Sequence, residues 1–146
     1  MYLVKDMYEK HRESLGLELI VGEAGLTRPI QVAEVHRPGL SLAGFLRGHA
    51  AKRVLIFGKV EIQYLSTLTG KCRVARLEAI LGPKTPAVIL ARSYKPPGGL
   101  LEICRDRQLP LFCSEMKTMS LLNRLSYLLN EEFAPSISYH GTLVEV

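Results

Sequence analysis

Hydrophobic positions along the chain change period several times, and each change marks an element. Val4, Met7, Tyr8 and Leu15 fall on or near one side of a helical wheel, which predicts a helix over Val4–Leu15 that Gly16 ends. Leu17-Glu18-Leu19-Ile20-Val21 alternates well enough for a strand, and Gly22, Gly25 and Pro29 bracket a turn before a second strand around Ile30 to Val35. After a His36-Arg37-Pro38-Gly39 corner comes a helix-compatible stretch through Leu46. Val54-Leu55-Ile56-Phe57 is four apolar residues in a row, a run that predicts a strand covered on both faces and stopped by Gly58.

Helical patterns follow from Val60 to Leu68 and from Val74 to Leu81, and Pro86 to Ala91 reads as another buried strand with proline at its permitted first position. Lys95-Pro96-Pro97-Gly98-Gly99 is a loop, Leu100 to Arg107 a short helix and Leu109 to Cys113 a strand. The clearest helix spans about Glu115 to Phe133, where Leu122, Leu125, Leu129 and Phe133 recur three and four residues apart. A closing strand is expected from Ser136 through Val146. Strands alternating with helices predict an α/β fold, a largely parallel sheet flanked by helices.

At 146 residues the chain has room for one domain with a real core, and 47% apolar against 23% charged content is ordinary for a folded protein. The longest apolar runs fall far short of the about 20 residues a membrane helix needs, and the amino terminus lacks the pattern of a signal peptide. Cys72, Cys104 and Cys113 show no C-x-x-C spacing. A cytoplasmic location is the expectation. The formal charge of +5 favours anionic partners in general, but the basic residues are dispersed and tryptophan is absent, so nucleic acid is not the expected partner.

Candidate chemistry is thin. Gly39-Leu40-Ser41-Leu42-Ala43-Gly44 has the glycine spacing of a phosphate loop, yet Phe45 and Leu46 stand where the lysine and the Mg²⁺-binding hydroxyl are required. A structural turn is the better reading. Cys104 and Cys113 sit in patterns that suggest burial, and neither His11 nor His49 has a metal-ligand spacing beside it. His36 either positions the corner through its ring or faces solvent. His140, in Tyr139-His140-Gly141, places a titratable group in a strand beside a glycine, and by itself reads as a structural histidine or as a site residue.

Three segments carry a resemblance. Arg37-Pro38-Gly39-Leu40-Ser41-Leu42-Ala43-Gly44 resembles the R-P-G-L-x-L-x-G signature of HPr kinase/phosphorylase amino-terminal domains. Arg53 to Gly58, continuing through Glu61 to Tyr64-Leu65, is similar to that family's next block, an arginine-led strand ending in G-x-x-E. His140-Gly141-Thr142-Leu143-Val144-Glu145-Val146 resembles the H-G-x-L-V-D-V segment leading into the family's kinase domain, with Glu145 in place of the aspartate.

The resemblance implies a parent enzyme that phosphorylates a serine of HPr with ATP or pyrophosphate and reverses the reaction by phosphorolysis, in bacterial carbon regulation. It implies a hexamer, and an amino-terminal domain similar to that of the Mur ligases. Residues 1–135 would be a noncatalytic regulatory or assembly domain, and residues 136–146 the start of the strand entering a kinase domain this sequence lacks. ATP and Mg²⁺ would belong to the parent enzyme, with no cofactor in this chain, and self-association is expected. His140 is the one residue that matches a family active-site position, while Arg37, Pro38, Gly39, Gly44, Gly58 and Glu61 form the structural motif. The alternative is a free-standing small-ligand sensor of similar fold.

Overall fold

The structure, a computed structural model, describes residues 1–44 and 51–134. His49 and the closing strand expected from Ser136, His140 included, lie outside the described residues. Among the described residues five strands form one sheet: β1 (Leu17–Val21), β2 (Val35–His36), β3 (Val54–Phe57), β4 (Val88–Leu90) and β5 (Leu111–Ser114). Six α-helices among the described residues accompany them, besides two short 3-10 turns: α1 (Val4–Leu15), α2 (Gly39–Leu42), α3 (Lys59–Ser66), α4 (Gly70–Ile80), α5 (Leu100–Asp106) and α6 (Thr118–Phe133). The spatial order is β1-β5-β4-β3-β2; β2 to β5 run parallel, and only β1 is antiparallel to its neighbour. The expected α/β architecture, with a largely parallel sheet, is the one observed.

Alternate residues of the central strands supply two separate cores, as the period of two in a strand requires. Val54 and Ile56 of β3, Ile89 of β4 and Phe112 of β5 pack with Met7 and Leu15 of α1 and Leu121, Leu125 and Leu129 of α6. Leu55 and Phe57, Val88 and Leu90, and Leu111 face the other way, onto Leu42, Leu65, Leu77, Ile80 and Ile103 from α2 to α5. Every residue of β3 and β4 is fully buried, which is what an apolar run without polar alternation predicts.

The segment from Ile30 to Val35 differs from expectation: only Val35–His36 is strand. The residues before it pair with the start of α1 instead, where Val4 N donates to Arg28 O (2.9 Å), Ile30 N donates to Tyr2 O (2.9 Å) and Leu3 bridges Pro29. Pro29 has no N–H for a ladder, and buried Ile30 is already spent on the α1 side of the core. The apolar pattern there marks a strap that carries the chain from one edge of the sheet to the other. The last helix also begins at Thr118, because Glu115 to Lys117 form the turn after β5.

At the amino end of the parallel strands, Arg28 gathers carbonyls that no helix or strand satisfies. Its Nη1 donates to Thr85 O (2.6 Å), Gly82 O and Pro83 O (both 3.3 Å), its Nη2 to Arg107 O (2.8 Å) and its Nε to Gln108 O (3.1 Å). Arg107 in turn donates to Leu81 O. The two guanidiniums tie the ends of α4 and α5 to the strap. Replacing Arg28 by alanine strips donors from this set of carbonyls, so Arg28→Ala is expected to lower stability by about 2–4 kcal/mol. Urea unfolding checks it; a loss below about 0.5 kcal/mol would mean that the carbonyls are satisfied without the guanidinium.

Candidate functional site

Ligands of open parallel sheets bind outside the carboxyl ends of the strands, and this edge is where the sequence motif falls. The chain leaves β2 into Arg37 and Pro38, and leaves β3 into Gly58 and α3. Gly58 caps α3, and the carboxylate of Glu61, three residues on, folds back to accept from Gly58 N at 2.8 Å. This is the reaching-back half of a capping box, and it explains the G-x-x-E spacing without any ligand. The same Oε1 accepts from Arg37 Nη2 at 2.9 Å. Glu61 is 2% exposed, so its charge is held by two donors in a dry place.

Two glycines are fitted around this pair. A Cβ on Gly58 would lie 2.6 Å from Thr118 Cγ2, 2.7 Å from Thr118 Oγ1 and 2.9 Å from Arg37 Nη2, which shows how closely the α6 start approaches the cap of α3. A Cβ on Gly39 would meet Glu61 Oε2 at 3.3 Å. Gly44 belongs elsewhere: its φ is +102°, and its near neighbour is the flexible tip of Arg76. Its constraint is therefore backbone conformation, not close packing. Buried Pro38 precedes α2 with a φ of −86°.

So Arg37, Pro38, Gly39, Gly58 and Glu61 come together, Gly44 stands apart, and His140 lies outside the described residues. Sequence reasoning missed Thr118 and Met119. Arg37 Nη1 lies 3.9 Å from Met119 Sδ, and its Nε is buried with no hydrogen-bond partner among the described residues. Only the fold brings α6 to the corner; nothing in the spacing of residues so distant in the chain announces it. A further feature of this edge was equally silent: Arg92 and Ser93, just after β4, both hold left-handed φ values, 56° and 53°. Tyr94 N closes the turn on Ala91 O at 3.1 Å, and Arg92 N donates to Met116 O at 2.9 Å.

The cysteines are not arranged as nucleophiles. Burial pushes the Cys104 thiol up to about 12, against a smaller opposing pull from Arg28 and Arg107. Cys113 is half-buried rather than buried; its thiol is also raised, first by burial and then by Glu18, whose Oε1 lies 3.6 Å from Sγ. No group of three or more His, Cys, Asp or Glu among the described residues is placed to hold a metal. No helix among them is long and apolar enough to cross a membrane.

Two outcomes follow from this geometry. Gly58→Ala should destabilise by about 1–3 kcal/mol, because the added carbon must move either Thr118 or Arg37; a urea midpoint equal to that of the unaltered chain would contradict the packing. Native Cys104 should resist iodoacetamide at pH 8 and react only after unfolding, followed by mass spectrometry. Between the ordinary 9.0 and about 12 the unfolded chain loses this proton first, so the contribution of Cys104 to stability falls as pH rises through that window.

Comparison with known families completes the description. A family model described as HPr Serine kinase N terminus matches residues 3–129, from the start of α1 into the last turns of α6. The match takes in both blocks of the corner and the two helices that cover the sheet's other face. The chain belongs to the HPr serine kinase amino-terminal domain family.

Proposed function

We propose that this chain is a noncatalytic regulatory and assembly module of an HPr(Ser) kinase/phosphorylase. The observation that carries this reading is the use to which the motif is put: the charges of Arg37 and Glu61 are spent on each other and on the amide of Gly58. A site built to transfer a phosphoryl group keeps such charges for the phosphate and its metal. Within the sequence, the loop at Gly39 to Gly44 also lacks the lysine and hydroxyl of a phosphate loop. In this reading ATP and Mg²⁺ are held by a kinase domain joined after residue 146, HPr is its substrate, the whole assembles as a hexamer in the cytoplasm, and His140 enters the active site from the connecting strand.

A free-standing small-ligand sensor is the second reading. It is favoured by a cleft of about 680 Å³ between the start of α1 and the end of α6, with Tyr2, Asp6, Glu9, Lys10, Glu132 and Phe133 on its walls. The intact mass of the native gene product separates the two readings, since a chain of 16.3 kDa has no room for a kinase domain.

Two experiments test the favoured reading. Calorimetric titration of this chain with ATP and Mg²⁺ should give no binding in the low micromolar range; such binding would overturn the noncatalytic assignment. In the chain joined to its kinase domain, His140→Ala should lower HPr phosphorylation and phosphorolysis together by about 10²-fold or more, because both directions share one transition state. Near-normal rates both ways would make His140 structural.

A further inference from the structure

Exposed large hydrophobic side chains are few among the described residues, and three of them belong to residues that adjoin the Arg37–Glu61 corner in sequence or by contact. Leu40 is 73% exposed, Val60 61% and Met119 53%; the other three, Met1, Tyr127 and Phe133, lie on α1's approach and along α6. Leu40 follows Gly39, which is packed against Glu61; Val60 precedes Glu61; Met119 touches Arg37. Single exposed hydrophobics need no explanation, but three on helices α2, α3 and α6 that meet at one corner are what a docking surface would use.

The surrounding charge says what kind of surface fits. Lys59 and Lys117 are exposed; Lys59 immediately precedes Val60, and Lys117 stands two residues before Met119. Arg92 is also exposed, and its N–H donates to Met116 O, one residue before Lys117. Arg37 keeps a quarter or more of its side chain in solvent (29%), and among the described residues its Nη1 meets the thioether of Met119, a weak acceptor. Glu115, before Lys117, is an exposed carboxylate beside these four cations, and Glu102 in the first turn of α5 is another on this side of the sheet. Glu61 is buried and already bonded, so cations outnumber free carboxylates here among the described residues. The turn that carries Arg92 holds two non-glycine residues at positive φ, a strained conformation that fixes where the chain presents this side chain.

We propose that Leu40, Val60 and Met119, with Lys59, Arg92, Lys117 and the free face of Arg37, form a docking surface for a partner protein segment in which apolar side chains are flanked by carboxylates. The apolar side chains cover the three hydrophobics, and a carboxylate takes the Nη1 donor now turned to sulfur. Charge selects against a second copy of this chain on the same surface. A two-fold pairing of this face would set its own cations against themselves, whereas an acidic segment gains from each of them. The surface is independent of the kinase assignment, and it stands or falls on binding alone.

The test uses the whole chain and two synthetic amphipathic peptides with identical Leu and Phe positions, one with Glu and Asp between them and one with Lys. Amide resonances are followed during titration at low and high salt. The acidic peptide should give saturable shifts centred on residues 39–41, 59–61 and 117–120, weakened by salt, and the basic peptide should give none. Lys59→Glu with Lys117→Glu should weaken the acidic peptide about tenfold or more, and Leu40→Ser with Val60→Ser and Met119→Ser should do the same. All five positions are exposed, so an unchanged unfolding midpoint in each variant certifies the fold. Equal response to both peptides, shifts centred elsewhere, or unchanged affinity in both variants would overturn the proposal. A dimer in sedimentation that the triple serine variant abolishes would also overturn it, in favour of a second copy.

Discussion

Strands β3 and β4 admit no water on either face, and that constraint organises the molecule. Because Val54 to Phe57 and Val88 to Leu90 are buried throughout, the chain has to supply helices above and below the sheet. It does so unevenly. The crossovers between parallel strands lay α2 to α5 on one side, and the two terminal helices, α1 and α6, are left to close the other. The antiparallel β1 then follows from the need to return from α1 to the sheet: Gly16 reverses the chain at φ +62°, and Ser114 Oγ donates to Leu15 O at 2.6 Å to lock the turn against β5.

Covering both faces creates unsatisfied backbone groups at the two ends of the sheet, and the two ends answer differently. At the amino end of the parallel strands, arginines donate directly to carbonyls: Arg28 and Arg107 serve the loops around α4 and α5. At the carboxyl end a carboxylate accepts from an amide, and an arginine compensates the carboxylate. The second arrangement is the more exacting, since removing the arginine leaves the buried Glu61 carboxylate poorly paired, and removing the carboxylate leaves a part-buried guanidinium without its partner. The corner motif is thus explained as packing and capping. Its neighbouring hydrophobics, which neither cap nor fill the core, are what remains to be explained by a partner.

Much of this was legible in the chain because its signals were local. A four-residue apolar run has few alternatives to a buried strand, and Gly16 and Gly58 stand where a helix must end or begin. The strap at Ile30 misled because burial and strand pairing are different things: Ile30 is buried, but its N–H bonds to Tyr2 O at the other end of the first helix. At the corner, Arg37, Gly58 and Glu61 were visible as a spacing, while the reason for it was not. The pair needs β2 and β3 side by side and α6 laid across Gly58, contacts that join residues 37, 61 and 118 and leave no trace in any short window of sequence. The strained turn at Arg92 was hidden for the opposite reason, since neither Arg92 nor Ser93 is a residue that advertises positive φ.

The central claim is that Arg37 and Glu61 act as one structural unit. A double-mutant cycle with Arg37→Ala, Glu61→Ala and the pair, read by urea unfolding, measures it directly. The account predicts a coupling of about 1 kcal/mol or more, with the double variant less destabilised than the sum of the single ones, because removing one charge already strands the other. Strictly additive losses would contradict it, and would leave the arginine free for a ligand.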